Sequence, residues 1–347
     1  MPQMELARIL ENPHYSVRAM SDAIINVPTR YKLLSLLRLF PDKGIRTTYV
    51  EIHRKNMTLN ILPTTERGGP ASKGRRNTRD KVSVGTQYIS HEDQILADEV
   101  QNMPMFGSDD FFESFDTLVN EKLEGMFAKY EQTFEKQRWD ALRGDVLDTD
   151  GTVLYNSYDL FGIEQASFDF KFGTTTSDGA MQAAKDSRRY IEKNKGDEPM
   201  NGMVWFCGPD FMDKLTAHPS MAEAYRNQQS RPNPLLDDMH DGFRHGGATY
   251  IEHNGCVPVV NPETGVEDEV QFIADDEAIG IPFGTSQVFR SYFAPGTMMS
   301  NVNMPGQSIY VSPKLLDHGR GIELFSESAP LFLVQKPQLV VRGYSSN

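Results

Sequence analysis

The first regular pattern along the chain is an alternation of apolar and polar residues. Arg46–His53 is rich in Thr, Tyr, Val and Ile, Met57–Pro63 alternates, and Lys81–Ile89 resumes the alternation. Alternation with a period of two predicts β-strands, because successive side chains of a strand point to opposite faces. Three glycines and a proline lie within Gly68–Gly74. We therefore predict a long two-stranded projection with a flexible, glycine-rich tip.

After Ser108 the apolar residues recur with a helical period instead. Asp110 and Glu113 fit a capping box at the start of this segment, and Gly144 closes it. About 35 residues at 1.5 Å each would span roughly 50 Å. We predict one helix from about Asp109 to Arg143, with an apolar face packed on the protein's own sheet and a charged face opposite. The apolar positions are Phe111, Phe115, Leu118, Val119, Met126, Tyr130 and Phe134.

The rest of the chain mixes shorter helices and strands. We predict a hairpin around Asp148–Gly151, a helix over Asp178–Asn194, a buried strand at Met203–Cys207, and a helix that starts at Pro209 and extends through Ser220–Gln229. Further strands are predicted at Ala248–His253, Val257–Val260, Val270–Ala274, Gln287–Phe293 and Gly321–Phe325. The last apolar stretch, Pro330–Val334, is separated from Leu339–Val341 by Pro337. The fold class is therefore α+β.

Composition and the amino-terminal residues argue against several classes of protein. The chain has 347 residues, of which 39% are hydrophobic and 24% charged, which excludes disorder and coiled coil as overall descriptions. Its start lacks the features of a secretory signal, and no apolar run approaches the roughly 20 residues of a membrane helix. We expect no membrane partner. Cys207 and Cys256 are most simply free thiols in a reducing cytoplasm.

Charge is unevenly distributed along the chain. The formal net charge is −13, which argues against general phosphate binding. Between Glu66 and Lys81, however, six bases face two acids, a local charge of +4. No aromatic residue lies in this basic tip to stack on bases. Contact with an acidic protein surface is the favoured interpretation, with nucleic-acid contact and simple solvation as alternatives.

Motifs for catalysis, cofactors and metals do not emerge from the sequence. The phosphate-binding loop, the dinucleotide fingerprint and the nucleophile elbow are all absent. Cys207 lies in an apolar strand and is favoured as a small core residue rather than a nucleophile. The acid-rich stretch Glu263–Glu277 lacks the order of a calcium loop and is favoured as a solvated face. A metal site is the less favoured interpretation of a polar, glycine-rich loop that contains Asp237, Asp238, His240, Asp241, His245 and His253.

Short motifs lie at the entry and the tip of the projection and near the carboxyl terminus. Thr47-Thr48-x-Val50 enters the projection, and Arg67-Gly68-Gly69 lies at its tip. Tyr292–Pro295 is followed by Asn301-x-Asn303, and Glu327–Leu331 is followed by Pro337 and Leu339–Val341. In these residues, from about position 33 to the end, the chain resembles the lambda-like major capsid proteins of tailed bacteriophages, the major capsid protein E family.

The resemblance implies the tailed-phage coat fold, of the Hong Kong phage type, with no catalytic residues and no cofactor. It implies an amino-terminal arm (1–45), an extended hairpin loop (46–96), a peripheral domain with the spine helix (97–175 and 294–347) and an axial domain (176–293). Members assemble as hexamers and pentamers into an icosahedral shell around double-stranded DNA, generally with a scaffold, a portal and sometimes a decoration protein. The location implied is the virion, assembled in the host bacterial cytoplasm.

Two alternatives stay open at this point. An encapsulin-like compartment protein would share the fold, and a metal-dependent enzyme would use an unrecognised site on the Asp237–His253 loop.

In the implied fold the extended loop lies across a neighbouring subunit, so the basic tip should meet acids of another copy. The first choice is the start of the neighbour's long helix, and the second is the stretch Glu263–Glu277. The predicted contact residues are Arg67, Lys73, Arg75, Arg76, Arg79 and Lys81 on the loop, with Asp109, Asp110, Glu113 and Asp116 on the helix.

Overall fold

A computed structural model describes residues 32–55, 79–101, 111–173, 179–219, 221, 243–260, 265 and 267–346. The described helices are Leu33–Leu36, Ala97–Gln101, Phe111–Arg143, Ser157–Phe161, Gly179–Asn194 and Pro209–Ala217, with 3-10 turns at Met299–Asn301, Asp317–Gly319 and Pro337–Leu339. The first nine strands are β1 (Asp42–Gly44), β2 (Tyr49–Lys55), β3 (Arg79–Gly85), β4 (Ile89–Leu96), β5 (Asp145–Leu147), β6 (Val153–Asn156), β7 (Ala166–Asp169), β8 (Gly202–Cys207) and β9 (Phe243–His245). The others are β10 (Ala248–Glu252), β11 (Cys256–Val260), β12 (Glu267–Gln271), β13 (Ala278–Phe283), β14 (Phe289–Phe293), β15 (Tyr310–Leu315), β16 (Gly321–Ser328), β17 (Pro330–Val334) and β18 (Val341–Tyr344).

The predicted projection is an antiparallel pair of β2 and β3, with Val50 opposite Val84. The prediction of one strand over Lys81–Ile89 is wrong, because β3 ends at Gly85 and β4 begins at Ile89. β4 leaves the hairpin and pairs with β16 in the body of the molecule. The predicted strand Met57–Pro63 and the glycine-rich tip lie outside the described residues.

The long helix runs from Phe111 to Arg143, and Gly144 follows it with φ of 111°. Three of its predicted apolar residues, Met126, Tyr130 and Phe134, are at most 2% exposed. The side chains of Phe111 and Phe115 lie outside those that the structure describes. The residues opposite are charged, but in the last turns of the helix Glu135–Asp140 is buried on all sides. The cause is that strands and the amino-terminal segment surround this end of the helix.

A six-stranded sheet in the order β7-β18-β13-β8-β10-β9 forms the other layer. The predicted helix over Asp178–Asn194 is observed from Gly179, and its buried face consists mainly of small residues such as Ala180 and Ala184. The strand β13 has no counterpart among the predictions, because its run of six residues is apolar without alternation. It lies inside the sheet between β8 and β18, where Gly280 allows Trp205 and Val341 to approach closely.

One continuous core joins the two layers. Trp139 near the end of the long helix packs edge-on against Phe206 of the sheet, with ring centroids 5.1 Å apart. The segment after residue 32 belongs to this core, since Leu34 is fully buried and β1 pairs with β14. None of the helices described combines the length and apolarity needed to span a bilayer.

Candidate assembly surface

Only part of the basic tip belongs to the described residues. Arg67, Lys73, Arg75 and Arg76 lie outside the described residues, and the side chain of Arg79, the first residue of β3, is not described either. The Lys81 ammonium pairs with the Glu51 carboxylate across the hairpin at 2.5 Å. The hydrogen bond to Glu51 raises the pKa of Lys81. Lys81 therefore has a partner on its own hairpin.

The predicted acids of the neighbour lie at the start of the long helix. Asp109 and Asp110 precede the described part of that helix, which begins at Phe111. Glu113 and Asp116 lie in its first two turns, with side chains outside those described. The intersubunit role of all ten predicted residues therefore remains a prediction.

The root of the hairpin is held by a small apolar cluster of its own. Val50 and Val84 pack with Tyr292, Leu331 and Leu333 of the sheet formed by β1, β14 and β17. The backbone continues this attachment, because the Gln87 N–H donates to the Pro330 carbonyl at 3.0 Å. The hairpin is thus anchored at one end by packing and backbone hydrogen bonds.

The carboxyl-terminal end of the long helix connects several elements through buried polar side chains. Glu135 accepts a hydrogen bond from the Leu34 backbone N–H at 2.8 Å, which fixes the amino-terminal segment. Gln137 donates to the Gln87 side chain at 2.8 Å, which fixes the base of the extended loop. These contacts are between segments far apart in sequence, and they link both elements to the same turns of the helix.

The buried charges of this helix end compensate one another locally. Arg138 lies 3.3 Å from Glu135 and above the Phe332 ring at 5.0 Å from its centroid. Lys136 pairs with Asp140 at 2.7 Å. Burial raises the pKa of Glu135 and of Asp140, and the adjacent Arg138 and Lys136 oppose that rise. Removing one member would leave its partner charged and buried, which is strongly destabilising.

A second buried acid fixes the segment between β14 and β15. Glu327 on β16 is fully buried and accepts hydrogen bonds from the Thr297 N–H at 2.8 Å, the Thr297 hydroxyl at 2.5 Å and the Tyr88 hydroxyl at 3.0 Å. Gly296 adjoins the carboxylate so closely that a methyl group there would collide with it. The segment held in this way exposes Met299, which is 89% exposed, and Val302.

Sequence patterns alone assign no role to these buried polar groups. Two signals were available: charged residues four apart in the run Glu135–Asp140, and an acid between apolar strands at Glu327. Neither pattern identifies the partners, because Leu34, Gln87 and Thr297 lie far away along the chain.

The candidate sites for enzyme chemistry have structural roles where they are described. Cys207 is fully buried, as predicted for a core residue, and burial raises the pKa of its thiol. His253 stacks on the Trp139 ring with centroids 4.7 Å apart. Asp237, Asp238, His240 and Asp241 lie outside the described residues. Within the part of the chain that the structure describes, no group of three or more potential ligands could hold a metal ion.

A family model described as phage major capsid protein E matches residues 16–345. The match extends further toward the amino terminus than the predicted start near residue 33. The major capsid protein of Pseudomonas phage KPP10 is 25% identical over 93% of this chain and 95% of its own length. That of Salmonella phage Felix O1 is 23% identical over 95% and 96%.

Solved structures show the same fold. A prophage capsid protein from E. coli CFT073 is similar with a TM-score of 0.58 and 13% identity, over 95% of this chain and 97% of that one. The mature capsid of bacteriophage PhiM1 gives a TM-score of 0.51 at 10% identity, over 93% and 90%. The predicted resemblance and fold class are confirmed.

Proposed function

The chain belongs to the phage major capsid protein E family, and from that premise we propose that its copies form hexamers and pentamers that close into an icosahedral shell around double-stranded DNA. It is a major capsid protein, and a capsid is assembled from many copies of it. The observation that carries the proposal is the family match across residues 16–345. Electron microscopy of the purified protein tests it: shells, or rings of five and six subunits, are expected, and a chain that stays monomeric would contradict it.

The proposed domains have the boundaries predicted above. Residues 46–96 form an extended loop that reaches a neighbour, residues 97–175 and 294–347 form a peripheral domain around the long helix, and residues 176–293 form an axial domain. The rooted hairpin supports this division, because a two-stranded pair is marginally stable without a further surface. A neighbouring subunit would supply that surface.

We propose that the basic tip docks on the start of a neighbour's long helix. Arg67, Lys73, Arg75 and Arg76 would provide the charge, since Lys81 already pairs with Glu51. Exposed ion pairs contribute only about 0–1 kcal/mol each. The contact would therefore act on docking and register, summed over several pairs and all subunits.

Reversing charge at the tip tests this contact. We expect Arg75→Glu with Arg76→Glu to give folded, soluble subunits that fail to close shells, as measured by sedimentation and microscopy. Arg75→Lys with Arg76→Lys is the matched control, because it keeps the charge. Asp109→Lys with Asp110→Lys in the double-Glu chain should partly restore closure. Normal shells from the double-Glu variant would refute the contact.

The proposed partners beyond the chain itself are a scaffold, a portal and a decoration protein, with packaged DNA held without sequence specificity. Assembly would take place in the host bacterial cytoplasm and end in the virion. The role is structural rather than catalytic, which is supported by the family and by the core position of Cys207.

A further inference from the structure

A basic cluster lies at one end of the six-stranded sheet. The exposed side of the helix Gly179–Asn194 carries Lys185, Arg188 and Arg189 in consecutive turns. Arg188 reaches across to the turn between β9 and β10, where its guanidinium donates to the Gly246 carbonyl at 3.3 Å. Arg244 in β9 is exposed beside that turn. Burial, and then the charge of Lys185, lower the pKa of His245, which places Lys185 near the same turn. We call Lys185, Arg188, Arg189 and Arg244 the basic end.

An acidic cluster lies at the opposite end of the same strands. Glu252 is the last residue of β10, Asp268 and Glu269 belong to β12, and Asp275 and Asp276 follow β12. All five are exposed. The Asp275 carbonyl accepts a hydrogen bond from the Phe211 N–H at 2.9 Å, so this segment lies where β8 passes into the next helix. We call these five acids the acidic end.

The sequence around the acidic end contains no base. No Lys or Arg occurs between Arg244 and Arg290. Among the ion pairs of the described residues, Glu277 pairs with Arg342, and none involves an acid of the acidic end. At the basic end, Arg188 pairs with Glu192 and Arg189 with Asp186.

The two ends are separated along the strands of one subunit. β10 runs parallel to β8 from the basic end at Ala248 to the acidic end at Glu252. Five residues at about 3.3 Å each separate the ends by roughly 15 Å of strand. None of the ion pairs among the described residues joins the two ends within a subunit. Contact between copies would bring the two ends together.

The positions of the two charged ends also determine which kind of contact between copies is favourable. A two-fold contact through either end would place like charges together, which is unfavourable. Contact of one end with the other is head-to-tail, and head-to-tail contacts close into rings when the rotation between successive copies closes. We propose that the basic end of each subunit binds the acidic end of the next subunit around a ring. This inference rests on the proposed assembly of hexamers and pentamers, and adds a contact that is independent of the extended loop.

Two reciprocal variants test the pairing. In the first, Lys185→Glu with Arg189→Glu makes the basic end acidic. In the second, Asp268→Lys with Glu269→Lys and Asp276→Lys makes the acidic end basic, because three bases then outweigh Glu252 and Asp275. Either variant by itself brings like charges together at every contact of a ring, so we expect about a tenfold or greater loss of rings and shells at low salt. Native mass spectrometry and sedimentation measure the loss, and circular dichroism checks the fold.

Mixing the two variants gives the decisive result. In a ring that alternates them, every contact again joins opposite charges. Alternation is possible in a ring of six and impossible in a ring of five. We therefore expect the mixture to recover hexamers and not pentamers, and a chain carrying all five substitutions to recover both.

The remaining outcomes overturn the proposal. Normal rings from either variant would exclude the contact, and so would folded variants that neither mixing nor recombination restores. Short duplex DNA bound by the unchanged protein, lost in Lys185→Glu with Arg189→Glu while rings still form, would identify a polyanion as the partner instead. The control Lys185→Arg with Arg189→Lys must assemble normally. Failure of the control and of the unchanged protein to form rings would count against the proposed function itself.

Discussion

At the scale of single residues, this protein stabilises buried carboxylates with hydrogen-bond donors supplied by distant segments. Glu327 receives hydroxyl and amide donors, while Glu198, which is 8% exposed, accepts from the Ser286 hydroxyl at 2.9 Å and lies 3.3 Å from Lys336. Burial acts to raise the pKa of Glu198, but the bonds from Ser286 and Lys336 outweigh it and hold that pKa below its usual value of 4.5. Such a group links stability to pH.

The sign of that linkage gives a testable prediction. Because the folded pKa of Glu198 is lowered, its contribution to stability is present above about pH 4.5 and is lost as the pH falls through the folded value. Ser286→Ala removes a hydrogen bond to a charged group, so the free energy of unfolding measured with urea at pH 7 should fall by about 1.5–3 kcal/mol. At pH 3 the unfolding free energies of the variant and of the unchanged protein should differ by less than they do at pH 7.

Two controls isolate the effect of Glu198. Gln287→Ala changes the exposed neighbouring residue and should leave stability within about 0.5 kcal/mol at both pH values. In a Glu198→Gln chain, the effect of Ser286→Ala should no longer depend on pH. Equal destabilisation at pH 7 and pH 3 in the carboxylate form would contradict the linkage.

At the scale of elements, the long helix has two different environments. Its last turns are enclosed by the amino-terminal segment, the base of the extended loop and β5. Its middle part has one exposed side, on which Gly125 lies with nothing within 4 Å of where a methyl group would stand. Gly144 after the helix differs, because its φ is 111° and a methyl group there would collide with the Tyr158 ring.

The two glycines should therefore respond oppositely to alanine. Gly125→Ala should stabilise the isolated subunit by about 0.5–1 kcal/mol, because alanine loses less backbone freedom on folding and meets no obstacle. Gly144→Ala should destabilise it, since the left-handed backbone and the Tyr158 ring both oppose the new side chain. Urea unfolding of unassembled subunits measures both. A loss of stability in Gly125→Ala would mean that this side of the helix packs on something within the subunit.

At the scale of the whole molecule, charge is segregated rather than dispersed. The net charge is −13, while the basic tip carries a local +4. The sheet adds a second separation, with a basic and an acidic end on the same strands. Segregation of this kind favours contacts between copies whose relative orientation is fixed by complementary potentials.

The same distribution predicts weak binding to nucleic acid. A subunit with an excess of acids cannot neutralise many phosphates, so unassembled subunits should bind duplex DNA with dissociation constants above the micromolar range at physiological salt. Electrophoretic mobility shift or fluorescence anisotropy with two unrelated duplexes measures this. Submicromolar binding to either duplex would refute the prediction.

Local patterns along the sequence determined the elements that depend on their own residues. Helical spacing predicted the long helix to its end at Arg143, and alternation predicted the entry strand of the projection. An apolar setting was enough to predict a buried Cys207. These predictions were correct because the hydrophobic period and the apolar character of a segment are set by its own residues. The resemblance to phage coat proteins likewise rested on the order of such segments.

The tertiary structure decided everything that depends on a partner far away in the chain. β13 has no alternation and became a strand because β8 and β18 flank it. Glu135 and Arg138 belong to a helix face that would be solvated in isolation, and they are buried because Leu34 and Phe332 cover them. The separation of the basic and acidic ends is a property of the parallel pair of β8 and β10. Sequence spacing cannot report such facts, because the free energy that enforces them comes from contacts between residues on separate elements.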